Sequence, residues 1–351
     1  MSSYERVAGL PLKIEGYDLD GIVRTVSSGF ERVTTVFRLR GGGEEGLGED
    51  VTYDADAQRA QQQRGPVLDL AGEWTFASFS EHIGAMDTFG SEETVSPVFR
   101  SYRRWGFESA ALDLALRQAG MSLAELLGRE LAPVRFVVSS RMGEPPTIEP
   151  VTRRLAAYPD LRFKLDATPD WPEELIAGLV ETGAVDSLDF KGAYRGTPVD
   201  TRTDPAFYRR IAETFPDAWL EDPDLDTDGA WEALEAFADR VTWDAPIHSV
   251  QDILDRRVLP RTVNLKPSRF GSVRELFAAY DFCAERGIGA YGGGQYELGP
   301  GRGQIQYLAA LFHADAPNDI APQGYDALDP EPGLPRSPLT PDPEPTGFRR
   351  R

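Results

Sequence analysis

Cysteine and long apolar stretches are what this sequence has least of. The 351 residues contain one cysteine, Cys283, so no disulfide can form within the chain. Cys283 lies in a helix-like stretch, which favours a place in the core. No apolar stretch approaches the roughly 20 residues that a membrane-spanning helix needs, and residues 1–5 lack the basic and apolar regions of a signal peptide. We therefore expect a cytoplasmic protein.

Positive charge is also scarce. The chain has 57 acidic residues against 37 Lys and Arg, which gives a formal net charge of −20. Such a surface repels the phosphates of nucleic acids and the head groups of anionic membranes. The composition therefore argues against both kinds of partner.

Lysine is the rarest charged residue, and its positions are informative. Of the 37 basic residues only four are lysines. Lys164, Lys191 and Lys266 each lie at or near the end of a short apolar run that reads as a buried strand, and in a parallel α/β barrel that end faces the active site. A buried lysine can lose its proton, whereas arginine effectively cannot. The pattern predicts that these lysines are needed for chemistry.

Strand–helix alternation begins near residue 133. The predicted strands are 134–139, 162–166, 187–190, 218–221, 240–244, 262–266, 288–291 and a weak 319–321. Helix-like segments separate them, which favours an α/β fold with a (β/α) barrel. An open doubly wound sheet is the alternative, but no Gly-rich phosphate motif follows the first strand.

The rest of the chain divides around this barrel. Residues 1–130 read as an N-terminal α+β domain that ends in an amphipathic linking helix over 107–127. The barrel occupies 131–322. Residues 323–351 form a Pro-rich tail, which we expect to lie along the surface with its terminal arginines solvated.

Acidic residues also collect at the predicted strand ends. Asp189, Glu221 and Asp244 end the third, fourth and fifth strands, so their carboxylates can converge on one hard cation. Mg²⁺ prefers oxygen ligands and keeps positions open for water or substrate. Capping of the next helix is the alternative for each acid alone, but three consecutive strand ends favour a metal site.

Side chains two apart on a strand share a face. Lys164 is therefore expected to share one with Arg162 and Asp166, and Lys266 to share one with Asn264. A lysine close to another cation has a lowered pKa and can act as a base. A salt bridge to a nearby carboxylate is the alternative for each lysine.

The order of these segments resembles the enolase superfamily, on the side of the muconate-lactonizing and mandelate-racemase-like enzymes. Residues 105–128 resemble the helix that joins the capping domain to the barrel. The segments LRFKLD, AWLEDP, VNLKPSRFG and GGGQYELGPGRGQ resemble the second-, fourth-, sixth- and seventh-strand motifs. The resemblance covers most of the chain and identifies residues 1–130 as a capping domain on a barrel of modified TIM type.

The resemblance implies an enzyme that uses Mg²⁺ to abstract the proton α to the carboxylate of a small acid, through an enediolate. It implies that Asp189, Glu221 and Asp244 bind the metal and that Lys266 is the sixth-strand base. Relatives are commonly homo-oligomers. Arg162, Asn264, Gln295 and Glu297 are the candidate substrate-binding residues, with Arg302 as a pairing partner of Glu297.

The second-strand motif departs from the Lys-x-Lys pair of many relatives. We favour the register in which Arg162 replaces the first lysine and Lys164 is the lysine that moves the proton. In the other register Lys164 is the first lysine and Asp166 replaces the base. Lys191 stands where relatives commonly have Asn, and it either repels the metal or supplies an extra acid.

Three readings of function remain open. The preferred one is an isomerase (a racemase, epimerase or cycloisomerase), with a dehydratase or ammonia-lyase as an alternative on the same site. A Schiff-base lyase using Lys266 would need no metal, and a barrel that only binds a ligand is the third. Substrate choice is expected to depend on capping-domain loops within 14–32 and 44–56.

Overall fold

The chain begins with antiparallel strands that pack on a long helix. The computed structural model describes residues 1–25, 31–90, 96–197 and 199–351. The N-terminal elements are α1 (Ser3–Ala8), β1 (Pro11–Ile14), β2 (Gly16–Thr25), β3 (Glu31–Gly41), β4 (Glu44–Asp50), α2 (Ala55–Arg64), β5 (Gly72–Thr75), α3 (Phe76–Ala85), α4 (Val98–Gln118) and α5 (Leu123–Leu127). β2, β3 and β4 form an antiparallel sheet, and β1 pairs with β5.

Close contact between β4 and α4 holds this domain together. A Cβ atom at Gly48 would lie 2.0 Å from the carbonyl oxygen of Gly106, so only glycine fits there. Phe37 on β3 stacks on Phe107 of α4 with ring centroids 3.7 Å apart. The sheet therefore lies directly on the helix that leads to the barrel.

The predicted helical stretch over 107–127, which Gly120 interrupts, forms two helices, α4 and α5, and begins earlier than predicted, at Val98. Gly120 adopts a φ of 65° and separates α4 from α5. Ser122 then starts α5 with a capping box, accepting from Glu125 N while the Glu125 carboxylate accepts from Ser122 N. The chain turns here toward the barrel.

The second half alternates strands and helices as expected. Its elements are β6 (Val138–Ser140), α6 (Glu149–Ala157), β7 (Phe163–Asp166), α7 (Glu173–Thr182), β8 (Val185–Asp189), α8 (Pro205–Thr214), β9 (Trp219–Glu221), α9 (Ala230–Leu234), β10 (Val241–Thr242), α10 (Val250–Leu254), β11 (Thr262–Asn264), α11 (Pro267–Phe270), α12 (Val273–Arg286), β12 (Gly289–Tyr291) and α13 (Pro300–Phe312). A 3₁₀ turn, Glu235–Arg240, follows α9.

The strands are arranged as a (β/α) barrel. β6 to β10 form one parallel sheet in chain order, and β11 pairs in parallel with β12. A few backbone hydrogen bonds continue the ring: Asn264 N donates to Trp243 O, Asp319 N to Gly292 O, Gly294 N to Asp319 O, and Val137 N to Asn318 O. Regular pairing is not continuous at these points. Two bridge residues, Asn318 and Asp319, take the place of the predicted eighth strand over 319–321.

The capping domain is fastened to the end of the barrel by two buried side chains. Glu49 at the end of β4 accepts hydrogen bonds from the amides of Leu298, Gly299 and Gly301 at the start of α13. Arg32 donates to Gln295 O and Tyr296 O. The segments 14–32 and 44–56, within which the substrate-selecting loops were expected, are largely strand in β2, β3 and β4, and residues 26–30 lie outside the described residues.

The C-terminal tail is anchored near its end, although its terminal arginines were expected to be solvated. Phe348 is fully buried, and Arg349 Nε lies 2.9 Å from the buried Asp113 Oδ2 on α4. Leu339 exchanges backbone hydrogen bonds with Val134 beside the first barrel strand. The tail therefore ties the linking helix to the barrel. Among the described residues, no helix combines the length and apolar character needed to cross a bilayer.

Candidate active site

Three carboxylates converge at the carboxyl ends of three neighbouring strands. Asp189 ends β8, Glu221 ends β9, and Asp244 lies just after β10. One oxygen of each lies within 4.8 Å of the others, and all three residues are buried. The short strands end at the same level because they are parallel and in register, with Asp189 opposite Glu221. The sequence prediction of one acidic cluster is confirmed.

The donor set of this cluster fits a hard divalent cation. Carboxylate oxygens are the ligands that Mg²⁺ prefers. Asp244 Oδ1 is buried without a hydrogen-bond partner among the described residues, so it has a lone pair available. Burial and the neighbouring Asp189 and Asp244 carboxylates raise the pKa of Glu221 to about 8, although Lys164 acts against them. A bound cation would relieve this repulsion.

Lys164 extends from β7 into the middle of the acids. Its ammonium contacts Glu221 Oε1 and lies 3.2 Å from Asp189 Oδ2. Burial alone would lower its pKa, but Glu221 and Asp189 outweigh burial and raise it well above the ordinary value. Lys164 is therefore charged in this arrangement.

Lys191 reaches the same cluster from the turn after β8. Its backbone has a φ of 54°, and its amide donates to Asp189 Oδ1 at 3.0 Å. This turn brings Nζ to 2.5 Å from Asp189 Oδ2 and 3.2 Å from Asp166 Oδ1. Its side chain is 15% exposed, against 2% for Lys164, so Lys191 lies nearer the mouth.

Lys266 enters from the other side, after β11. Its Nζ lies 2.8 Å from Asp244 Oδ2, and Arg269 Nη2 lies 3.5 Å from the same oxygen. We expected the pKa of these lysines to be lowered by neighbouring cations. Burial lowers the pKa of Lys266, and the positive charges of Lys164 and Arg269 also lower it. The Asp244 carboxylate outweighs all of these effects, so the pKa is raised.

The remaining predicted residues are distributed unevenly around the cluster. Asn264 is fully buried, and neither of its amide atoms has a hydrogen-bond partner in the described part of the chain. A Cβ atom at Gly293 would lie 2.4 Å from Lys266 Cε and 3.2 Å from the Asn264 amide, so the Gly-rich run serves close packing. Gln295 is also buried, with its Nε2 lacking a partner among those residues.

Glu297 and Arg302 pair as predicted. Arg302 Nη2 lies 3.5 Å from Glu297 Oε2, and Glu297 Oε1 accepts from the amide of Gln295 at 2.7 Å. Glu297 therefore orients the segment after the seventh strand.

The sequence of this chain matches known families over both halves. Residues 5–126 and 130–327 match the N-terminal and C-terminal domains of a family described as "Domain of unknown function (DUF8230)". An N-succinylamino acid racemase from an Amycolatopsis species is 30% identical over 235 residues, which cover 64% of this chain and 61% of that protein. An o-succinylbenzoate synthase from Geobacillus kaustophilus is 26% identical over 62% of this chain and 58% of its own length. The match thus spans about three-fifths of each relative.

Solved structures agree in fold. A muconate cycloisomerase from Pseudomonas fluorescens superposes with a TM-score of 0.61 at 18% identity, covering 88% of this chain and 87% of that chain. An enolase superfamily member from Listeria innocua gives 0.64 at 17% identity, covering 88% and 86%. The chain belongs to the DUF8230 family, and its curated relatives together with these structures identify it as an enolase superfamily member.

The structure separates the two registers of the second-strand motif of this superfamily member. The prediction that Arg162 shares a strand face with Lys164 is wrong. Arg162 Nε donates to Asp186 Oδ1 at 2.8 Å, away from the cluster. The pairing of β7 with β8 shifts register between Phe163 and Lys164, which breaks the alternation of faces. Lys164 and Asp166 are the two residues of the motif that reach the cluster, so the favoured Arg162 register is not supported.

Two residues at the site were missed in the sequence. Asp222 is fully buried, has a φ of 48°, and accepts from the amides of Asp244 and Ala245 at 2.8 and 2.9 Å. The hydroxyl of Tyr291 on β12 donates to Glu221 Oε2. Asp222 lies in the AWLEDP motif and Tyr291 ends a predicted strand, so the sequence indicated that both residues lie at the strand ends.

Proposed function

We propose that this chain is a Mg²⁺-dependent enzyme that removes the proton α to the carboxylate of a small acid, with isomerisation as the outcome. The convergence of Asp189, Glu221 and Asp244, with lysines on both sides, is the observation that carries this proposal. A solvated set of acids would not be buried among lysines that come from three strands, β7, β8 and β11. The superfamily relationship supports the same reaction class.

Asp189, Glu221 and Asp244 are the proposed ligands of the ion. Bound there, Mg²⁺ would attract the substrate carboxylate and stabilise the negative charge that develops as the α-proton leaves. Asp222 holds the backbone of Asp244, and Tyr291 holds the second oxygen of Glu221. These contacts fix the ligands before substrate arrives.

Two lysines flank the ligands on either side of β9. Lys266 Nζ, in its neutral form, is the proposed group that takes the proton on one face of the substrate; a cation held by Asp244 would weaken the ion pair that keeps this lysine charged. Lys191 Nζ, beside Asp189 and held by Asp166, is the proposed group that returns it on the other face. Lys164 was the sequence-based candidate for this second role, but it lies deeper and engages Glu221. A lysine on each face favours an isomerase over an eliminating enzyme.

Two neutral side chains are proposed to bind the substrate, and a third holds one of them in place. Asn264 Nδ2 and Gln295 Nε2, which have no hydrogen-bond partner among the described residues, can donate to substrate oxygens, and Asn264 Oδ1 can accept from its N–H or O–H groups. Glu297 keeps Gln295 in place. Because a relative is named an N-succinylamino acid racemase, N-acyl amino acids are the first substrates to test.

Exchange with solvent deuterium tests this function directly. The protein is incubated in D₂O with Mg²⁺ and separate N-acyl amino acids, dipeptides, amino acids and acid sugars, and each is followed by mass spectrometry. We expect a gain of one deuterium without loss of mass; loss of water or ammonia would assign a lyase instead. Glu221→Gln is the matched variant, because it keeps the shape of a ligand and removes its charge. Exchange that persists in Glu221→Gln, or without any divalent ion, would contradict the proposal.

A further inference from the structure

Lys164 occupies a position that a bound cation would share. Its side chain is 2% exposed. Its ammonium contacts Glu221 and lies 3.2 Å from Asp189 Oδ2 and 3.9 Å from Asp244 Oδ2. It is thus within 4 Å of all three proposed metal ligands. Lys191 and Lys266 approach only from the sides.

The charges around Lys164 explain why it lies there. Asp189, Glu221, Asp222 and Asp244 are all buried within this small region. Charges of like sign a few ångströms apart repel strongly where water is excluded. One ammonium among the oxygens offsets that repulsion and lets the carboxylates stay close together.

We propose that Lys164 is a built-in counterion, which holds the three carboxylates together in the metal-free protein and competes with Mg²⁺ for them. This inference rests on the metal site proposed above. Removing the charge of Lys164 strengthens metal binding in two ways: the ligands lose a competitor for their oxygens, and the ion loses a nearby positive charge. The metal-free protein, in contrast, loses the charge that offsets its buried acids.

Asp319 offers the ammonium a second partner. Its Oδ2 lies 3.9 Å from Lys164 Nζ, and its side chain is 19% exposed at the end of the barrel ring. An ammonium displaced from Glu221 by a cation can stay paired by moving toward Asp319. The displaced lysine therefore need not be left as an uncompensated buried charge.

Metal titration of Lys164→Met tests this inference. Methionine keeps the length and removes the charge, and Lys164→Gln serves if Lys164→Met does not fold without metal. Chelator-treated protein is titrated with MgCl₂ alone in a calorimeter, and its melting is followed with and without Mg²⁺. Lys13→Met, at an exposed lysine of the capping domain, is the control and should leave both measurements unchanged.

We expect the Lys164 variants to bind Mg²⁺ about tenfold or more tightly than the unaltered protein, which follows from removing one unit charge a few ångströms away. Without metal the variants should melt at a lower temperature than the unaltered protein, and Mg²⁺ should raise their melting temperature by more. Binding that is equal or weaker in a folded variant overturns the counterion role and leaves the metal site standing. Absence of Mg²⁺ binding in the unaltered protein and in both variants overturns the metal site itself.

Discussion

Lys191 Nζ lies 3.2 Å from Asp166 Oδ1, and this ion pair joins the ends of β8 and β7. The ion pair holds Lys191 near the mouth of the barrel. This lysine follows the third barrel strand, at the position where the superfamily resemblance implies Asn. Asp166 thereby holds, from the second strand, a lysine that the third strand supplies.

Replacement of Lys191 should therefore impair proton transfer on one face of the substrate. We expect Lys191→Met to slow deuterium exchange roughly 10²–10⁴-fold, the usual contribution of a general acid or base, for one enantiomer of the substrate. Lys266→Met should slow exchange of the other enantiomer. The measurement is the rate of deuterium uptake from each enantiomer by NMR. An unchanged rate in Lys191→Met would exclude it from proton transfer.

Asp166→Asn tests the positioning of Lys191 without removing the lysine. The amide keeps the shape but loses the charge that holds Nζ. We expect kcat to fall while KM changes little and Mg²⁺ binding by calorimetry is retained, because Asp166 is not among the three clustered ligands. Asp160→Asn, at an exposed acid in the segment before β7, is the control. A fall in Mg²⁺ affinity equal to the fall in kcat would instead point to a general loss of structure.

Asp222 should control metal affinity through the backbone of Asp244. In the unaltered protein the Asp222 carboxylate accepts from the backbone N–H groups of Asp244 and Ala245. In Asp222→Asn the side-chain NH₂ group, itself a donor, must face one of these N–H groups. We expect Mg²⁺ affinity to fall roughly 10–100-fold, as for other groups that orient metal ligands. Calorimetric titration measures it, with the exposed Asp226→Asn as the control. Equal affinities in Asp222→Asn and the unaltered protein would refute this role.

His313 should make the protein sensitive to mild acid. Burial lowers the pKa of His313 from 6.5 to about 4, although the hydrogen bond with Asn318 acts against it. Because the folded pKa is below the unfolded value, the unfolded chain binds a proton first as the pH falls. The free energy of unfolding should decrease by about 3 kcal/mol between pH 6.5 and 4 from this residue.

Chemical denaturation at several pH values isolates that contribution. His313→Gln should be less stable at pH 7, since it disturbs the contacts with Asn318 and Tyr280, yet its stability should fall less between pH 6.5 and 4. His82→Gln, at a partly exposed histidine, should keep the full decrease. Parallel curves for His313→Gln and the unaltered protein would rule out this source of acid sensitivity.

The anchored tail should contribute to stability through its last residues. Phe348 is fully buried, so Phe348→Ala should lower the free energy of unfolding by about 3 kcal/mol or more. Arg351→Ala, at an exposed residue of the same segment, should change it little. Urea denaturation compares the two variants. A Phe348→Ala protein as stable as the unaltered one would mean that the tail does not depend on this contact.

The acidic cluster could be predicted from the sequence because the barrel strands are parallel. Acids at the ends of successive strands must meet at one end of a parallel barrel, so Asp189, Glu221 and Asp244 could be brought together without coordinates. Lys266 followed from the same geometry. The two halves of the chain were also readable, because the period of the apolar pattern changes near residue 133.

The sequence by itself determined which residues reach the strand ends, since strand order and alternation are local properties. Only the tertiary structure decided where their charged ends go. A register shift turned Arg162 toward Asp186, the backbone of Lys191 brought its Nζ to Asp166, and Arg349 found Asp113 far away in the chain. These outcomes depend on contacts between residues that are far apart in the sequence, which no local pattern encodes.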